Sequence, residues 1–262
     1  MIQTTPLDIT RPADIGLHPQ RTQHLLNVLR ERVDQQHIPG AVVLIGRQGR
    51  IGLLEAIGQQ DPVADTPMRT DSIFRIYSMT KPLVSVAIMM LVERGRLLIS
   101  DAVSRYLPEY DGQPVLGNAG LVPAWQTPTV QDLLRHTAGL TYEFLGDSAV
   151  QREYAKVNIG SRGRNNDEFS KTLGRIPLQF QPRSCWAYSR ATDVLGRLVE
   201  VVSGQTLGGF LQQEIFEPLG MVDTGFSVPP AQQHRIVEPF GHDPDGGVPM
   251  KLFDPREMPA LE

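Results

Sequence analysis

The segment Ser78-Met79-Thr80-Lys81-Pro82, followed by an apolar run from Leu83 to Val92, restricts the fold more than any other part of this chain. Proline is tolerated inside a helix only in its first turn, so Pro82 fixes where a helix begins. The residues after it, Leu83, Val84, Ala87, Ile88 and Leu91, recur at helical spacing, and Gly95 supplies a stop. The pattern predicts a helix buried on most of its surface. Residues three apart share a helix face, so the Ser78 hydroxyl and the Lys81 amine lie together at its N-terminus. An isolated pattern of this kind also fits Ser78 as an N-cap and Lys81 as a solvated first-turn residue. Against that, a cation in the first turn opposes the helix dipole, where acidic side chains are favoured.

The remaining periodicities give mixed α and β structure. Leu25, Leu26, Leu29 and Val33 predict an amphipathic helix between Pro19 and His37. The β-prone runs 41–46 and 51–56, joined by Arg47-Gln48-Gly49-Arg50, predict a hairpin that begins an antiparallel sheet. Proline and glycine between Asp101 and Pro128 predict loops with short helical turns. Thr129-Val130-Gln131-Asp132 reads as a capped helix start. The stretch Gly146 to Lys171 has no clear core face and reads as a loop or lid over a cleft. Two helical patterns follow Pro182, one ending at Gly204 and one before Pro218, and the tail from Ser227 is rich in proline. Residues 1–72 therefore read as an N-terminal helix with the start of the sheet, 73–222 as a mainly helical region, and 223–262 as a Pro-rich loop segment.

With 262 residues, 40% of them hydrophobic, and a net charge of −4, the chain can bury a sizeable core and gives no electrostatic reason to expect nucleic acid. Its longest apolar stretch, interrupted by Ser85, is too short to span a bilayer, and no signal-peptide pattern opens the sequence, so the expectation is a cytoplasmic protein with no membrane partner. Cys185 is the only cysteine and is expected to be a small packed residue beside Trp186. The histidines lack metal-ligand spacing, and Pro244 with no downstream glutamate spoils a calcium loop at Asp243-Pro244-Asp245-Gly246, so no metal and no cofactor is expected.

Ser78-Met79-Thr80-Lys81, then Leu133-Leu134-Arg135-His136-Thr137-Ala138-Gly139-Leu140, then Trp186-Ala187-Tyr188-Ser189 occur in an order that resembles the serine β-lactamase and penicillin-binding-protein superfamily, on the branch holding class C β-lactamases and the carboxylesterases that share their fold. The resemblance runs from the hairpin at Ala41 to Pro218-Leu219-Gly220-Met221. It implies an α/β (α+β) fold, an antiparallel sheet flanked by helices with a mainly helical lobe. It also implies that Ser78 is a nucleophile, Lys81 its base or proton relay, and Tyr188 a second general acid/base. A serine needs such a base, and a lysine serves if burial or neighbouring cations lower its pKa. An adjacent ammonium would in turn lower the pKa of Tyr188, so the two would titrate as a pair. The Ser78 N–H is a candidate oxyanion donor.

The family's third motif, on an edge strand downstream of the tyrosine, has no counterpart near Gly225, Gly241 or Asp245-Gly246-Gly247. The chain is accordingly expected to be C-terminally truncated, with the last sheet strands and the second oxyanion donor outside it. Where class C β-lactamases carry Tyr-x-Asn, Arg190 stands at the third position, and a guanidinium only donates. The expected reaction is hydrolysis of a small carboxylic ester through an acyl-Ser78 intermediate. The alternatives are a β-lactamase or D-Ala-D-Ala peptidase-like enzyme acting on amides, and an inactive fragment or binding domain. His136 is expected in a structural turn near the cleft.

Overall fold

The structure, a computed structural model, describes residues 8–117, 119–238, 240, 241, 250 and 251. The chain divides into two units: one holds the residues up to Ile76 together with the described part of the stretch from Ser227, and the other runs from Tyr77 to Phe226.

In the first unit, helix α1 (Pro19–Asp34) starts on Pro19 as expected. Strands β1 (Gly40–Arg47) and β2 (Arg50–Asp61) pair antiparallel, Arg47 opposite Arg50, and β3 (Thr66–Pro67) extends the sheet in the order β1-β2-β3. The two-residue turn puts Gln48 at φ 54° and Gly49 at φ 70°, the doubly left-handed turn whose twist matches paired strands. Leu26 of α1 packs on Leu53 and Ile57 of β2, with Leu25, Leu29, Val33, Val43 and Ile45 around them. The tail contributes a 3₁₀ turn, Pro230–Arg235, and a bridge from Ile236 to Ile73. Phe240–Gly241 pairs with Met250–Lys251. The turn at 245–247 lies outside the described residues.

The second unit holds the large core. Helix α2 (Thr80–Glu93) buries Val84, Ala87, Ile88 and Leu91, while Val86 and Met89 stay about half exposed, so its burial is less complete than its composition suggests. A short hairpin, β4 (Val115–Gly117) with β5 (Gly120–Val122), lies in the stretch expected to hold only loops and turns. Helix α3 (Val130–Leu134) opens on the expected Thr129 cap. The expectation of a lid over 146–171 is corrected: the stretch folds into α4 (Ala149–Lys156) and the start of α5 (Asn166–Gly174). Capping boxes at Ser148/Gln151 and Asn165/Glu168 start them, and Tyr154, Phe169 and Leu173 anchor them in the core. Helix α6 (Ala191–Ser203) runs through the centre of that core and ends on Gly204 at φ 76°, and α7 (Leu207–Leu211) continues into a π-helical turn, Gln212–Phe216. Helix α2 packs against α6, and Ile88 and Leu91 of the one share a buried cluster with Leu195 and Leu198 of the other. Among the described residues no helix is long and apolar enough to cross a membrane.

Candidate active site

Ser78 lies in a 3₁₀ turn, Tyr77–Met79, that leads directly into α2, and its side chain makes no cap. The N-cap alternative therefore does not describe it. The residue before it, Tyr77, is at φ 42°, a left-handed conformation that a bulky side chain rarely adopts and that costs about 1–3 kcal/mol. The strained corner leaves Ser78 exposed on the surface of its unit.

Lys81, in the first turn of α2, turns its Nζ back to within 3.3 Å of Ser78 Oγ. Tyr188 arrives from a segment 110 positions away and places its hydroxyl 2.6 Å from the same oxygen. The three sequence-expected side chains thus converge. A fourth, Tyr142, was not anticipated: its hydroxyl accepts from Lys81 Nζ at 3.4 Å, and its ring is 8% exposed.

The tyrosines meet because two stretches of backbone run side by side. Gln179 N–H donates to Gly139 O at 2.8 Å, Arg183 N–H to Thr137 O at 2.8 Å, Ala187 N–H to His136 O at 3.0 Å, and Arg190 N–H to Thr141 O at 3.2 Å. Gly139 is required here: at φ 90° a Cβ would sit 2.5 Å from Phe180 O. Asp132, fully buried, ties the same region together. It accepts from the Thr129 N–H at 2.9 Å, from the Thr137 hydroxyl at 3.1 Å, and from the guanidinium of Arg183 at 3.0 Å. His136 occupies a turn at φ 57°, as expected, and its Nδ1 lies 3.0 Å from the buried Ser189 hydroxyl.

The electrostatics differ from the expectation for Lys81. Burial pulls its pKa down, but hydrogen bonding and charge interaction with Tyr188 and Tyr142 together outweigh this and leave the amine above its usual value. These contacts favour the ammonium form of Lys81 over the neutral amine. The expected effect on Tyr188 is present: hydrogen bonding to Lys81, then to Ser78, holds the phenol below its ordinary value. Burial raises Tyr142 and lowers His136, the latter helped by the charge of Lys81. The contacts of Tyr188 with Lys81 and Ser78 thus favour its phenolate over that of an ordinary tyrosine.

Arg190, at the N-cap of α6, turns toward Glu143 and pairs with it through two nitrogens, its guanidinium 4.8 Å from the Tyr142 ring centroid. Cys185 is exposed, which corrects its expected packing role, and Trp186 beside it is exposed too. Both belong to the segment that delivers Tyr188.

Known proteins resemble this arrangement at the level of sequence and fold. The family pattern described as Beta-lactamase matches residues 25–260. Esterase EstB of Burkholderia gladioli is 37% identical over 237 residues, 90% of this chain and 58% of its own length. Lovastatin esterase of Penicillium rubens is 30% identical over 205 residues, 74% of this chain and 50% of its own. Among solved structures, EstCE1, a hydrolase with promiscuous acyltransferase activity, aligns with a TM-score of 0.77 at 30% identity over 89% of this chain and 59% of that one. Unliganded simvastatin synthase LovD from Aspergillus terreus aligns with a TM-score of 0.74 at 28% identity, over 88% of this chain and 59% of its own. The chain spans a little over half the length of most of these relatives. With its fold and nearly its whole length matched, this chain belongs to the beta-lactamase family and has the fold of the serine β-lactamases and penicillin-binding proteins.

Proposed function

We propose that the protein is a serine hydrolase that cleaves carboxylic esters through an acyl-Ser78 intermediate, with Tyr188 as the general base and acid and Lys81 as the cation that favours its phenolate. The observation that carries this reading is the 2.6 Å approach of the Tyr188 hydroxyl to Ser78 Oγ, with the Lys81 ammonium 3.3 Å from the same oxygen. In the first half-reaction the Tyr188 phenolate takes the Ser78 proton as Oγ bonds to the ester carbonyl carbon. The tetrahedral intermediate then collapses, the carbon–alkoxy bond breaks, and Tyr188 returns the proton to the leaving alkoxide. In the second, water gives a proton to Tyr188 as it adds to the acyl carbon, and Ser78 Oγ leaves with that proton. No cofactor enters either half. The backbone N–H of Ser78, at the entrance to α2, is the proposed first oxyanion donor.

Ester is favoured over β-lactam because Arg190 is committed to Glu143 and does not offer the donor and acceptor that an asparagine amide would. The names of EstB and of lovastatin esterase support the same class. A small-molecule ester as the partner and a cytoplasmic setting complete the reading.

Labelling with a fluorophosphonate probe and turnover of short-chain nitrophenyl esters test it. The wild-type chain is expected to be labelled and active, and Ser78→Ala to lose labelling and at least about a thousandfold in turnover. A folded wild-type chain that is neither labelled nor active would instead mark an inert binding domain. Faster turnover of nitrocefin than of any ester would make the protein a β-lactamase.

A further inference from the structure

Four aromatic rings of the 77–226 unit form a continuous row through the site. Trp186 and Tyr188 lie 6.4 Å apart between centroids at 24°, Tyr188 and Tyr142 5.3 Å apart at 43°, and Tyr142 and Phe144 4.8 Å apart at 30°. The two inner rings carry the hydroxyls that reach Ser78 and Lys81. The outer two are open to solvent: Trp186 is 65% and Phe144 67% exposed. Trp186 is also held from the side, its ring 6.2 Å from that of His136 in an edge-on contact, and Ser189 holds His136 in turn. An exposed indole with two neighbouring rings to orient it, one ring away from the nucleophile, is arranged to receive something flat.

We infer that Trp186 and Phe144 are the ends of a stacking subsite that binds a planar aromatic or conjugated group of the substrate, so that the preferred esters are aryl or arylalkyl esters and not short aliphatic ones. The inference rests on the ester-hydrolase reading for its chemistry, but the stacking itself does not depend on turnover. Its physical basis is the quadrupole of the π-system. Ring pairs gain attraction beyond what their buried area gives, and a saturated ring of the same carbon number buries similar area without that gain. The gain corresponds to about threefold to tenfold in affinity. Neither outer ring belongs to the buried core, so each can be removed without opening a cavity there.

The test is a binding comparison that needs no reaction. N-benzylacetamide and N-(cyclohexylmethyl)acetamide are titrated into the full chain by ligand-observed saturation-transfer NMR. The expected result is that the benzyl compound binds about threefold to tenfold more tightly, and that the Trp186→Ala/Phe144→Ala double variant brings the ratio to near one, with unchanged far-UV circular dichroism. Equal affinity in the wild-type chain, no binding of either compound, or a preference that survives both substitutions would each overturn the subsite. Fluorophosphonate labelling of the same samples reads the hydrolase proposal separately: labelling without planar preference sinks the subsite alone, and planar preference without labelling sinks the hydrolase alone.

Discussion

The charge on Tyr188 is the quantity on which the proposed chemistry turns, and Lys81 sets it. The ammonium stabilises the phenolate, so the Tyr188 proton leaves below the ordinary tyrosine pKa, while the same contact keeps the Lys81 proton on to higher pH. A reaction using the phenolate should therefore rise as pH climbs through the lowered Tyr188 value and fall only where Lys81 loses its proton. In Lys81→Met the cation is gone, and the rising limb of kcat/KM is expected to move to higher pH, with a loss of about a hundredfold or more at pH 7. A rising limb that stays in place would remove Lys81 from this role. Tyr142→Phe deletes the hydroxyl that Lys81 reaches at 3.4 Å and is expected to lower kcat by about tenfold, with a smaller shift of the same limb. These side chains differ in how far the sequence disclosed them. Ser78, Lys81 and Tyr188 sit inside recognisable motifs. Tyr142 lies two residues beyond the end of one, where a tyrosine reads as packing. It does pack, at 8% exposure, and the second role comes from a contact with Lys81, 61 positions away. Arg190 was visible as a departure from the family pattern, but its partner Glu143 is 47 positions away, and no local rule joins them.

Among the elements, α3 shows how one buried carboxylate organises a site it does not enter. Asp132 completes the capping box with Thr129, and the same carboxylate takes Thr137 and Arg183 from the two strands of chain that deliver Tyr142 and Tyr188. Burial alone would raise its pKa; the bonds from Thr129 and the pairing with Arg183 outweigh this and leave it below the usual carboxylate value. A carboxylate depressed in the folded state contributes its stability above the unfolded pKa, near ~3.9, and loses that contribution as pH falls through the folded value. Asp132→Ala is expected to cost about 2–3 kcal/mol at pH 7, because it leaves a buried N–H and a guanidinium without their acceptor. The difference from wild type in urea midpoint should shrink as acidification passes below the unfolded value near ~3.9 and through the lower folded one. A pH-independent difference would mean that packing, and not charge, is what Asp132 supplies. Elements with one strong period were legible in advance: α1, the β1–β2 hairpin and α6 all show regular apolar spacing. Helices α4 and α5 were not, since each offers few large apolar residues and the polar, glycine-containing stretch 158–164 between them dilutes the pattern. Their start signals, Ser148-x-x-Gln151 and Asn165-x-x-Glu168, were nevertheless present in the letters.

At the scale of the molecule, all the side chains of the candidate site, Ser78, Lys81, His136, Tyr142 and Tyr188, come from the 77–226 unit, and so does the large core. The other unit is held differently. Its buried cluster is Leu26, Leu53 and Ile57, supported by half-buried neighbours and by polar ties such as the Gln60 amide donating to His234 O at 2.8 Å and the Arg235 guanidinium donating to Asp71 O at 2.8 Å. Each fully buried large apolar side chain contributes about 1.5–3 kcal/mol, so the two units have very different reserves against local opening. Native-state hydrogen exchange on the full chain reads this directly, because an amide exchanges when the unit that holds it opens. Amides at Ile88 in α2 and Leu198 in α6 are expected to be among the slowest. Those at Leu53 and Ile57 in β2, hydrogen-bonded in a regular ladder, are expected to exchange at least about a hundredfold faster, as α1 leaves the sheet while the α2–α6 pair stays closed. Equal protection of β2 and α6 would show instead that the two units open as one cooperative body, and the small cluster around Leu26 would then not be what limits the first of them.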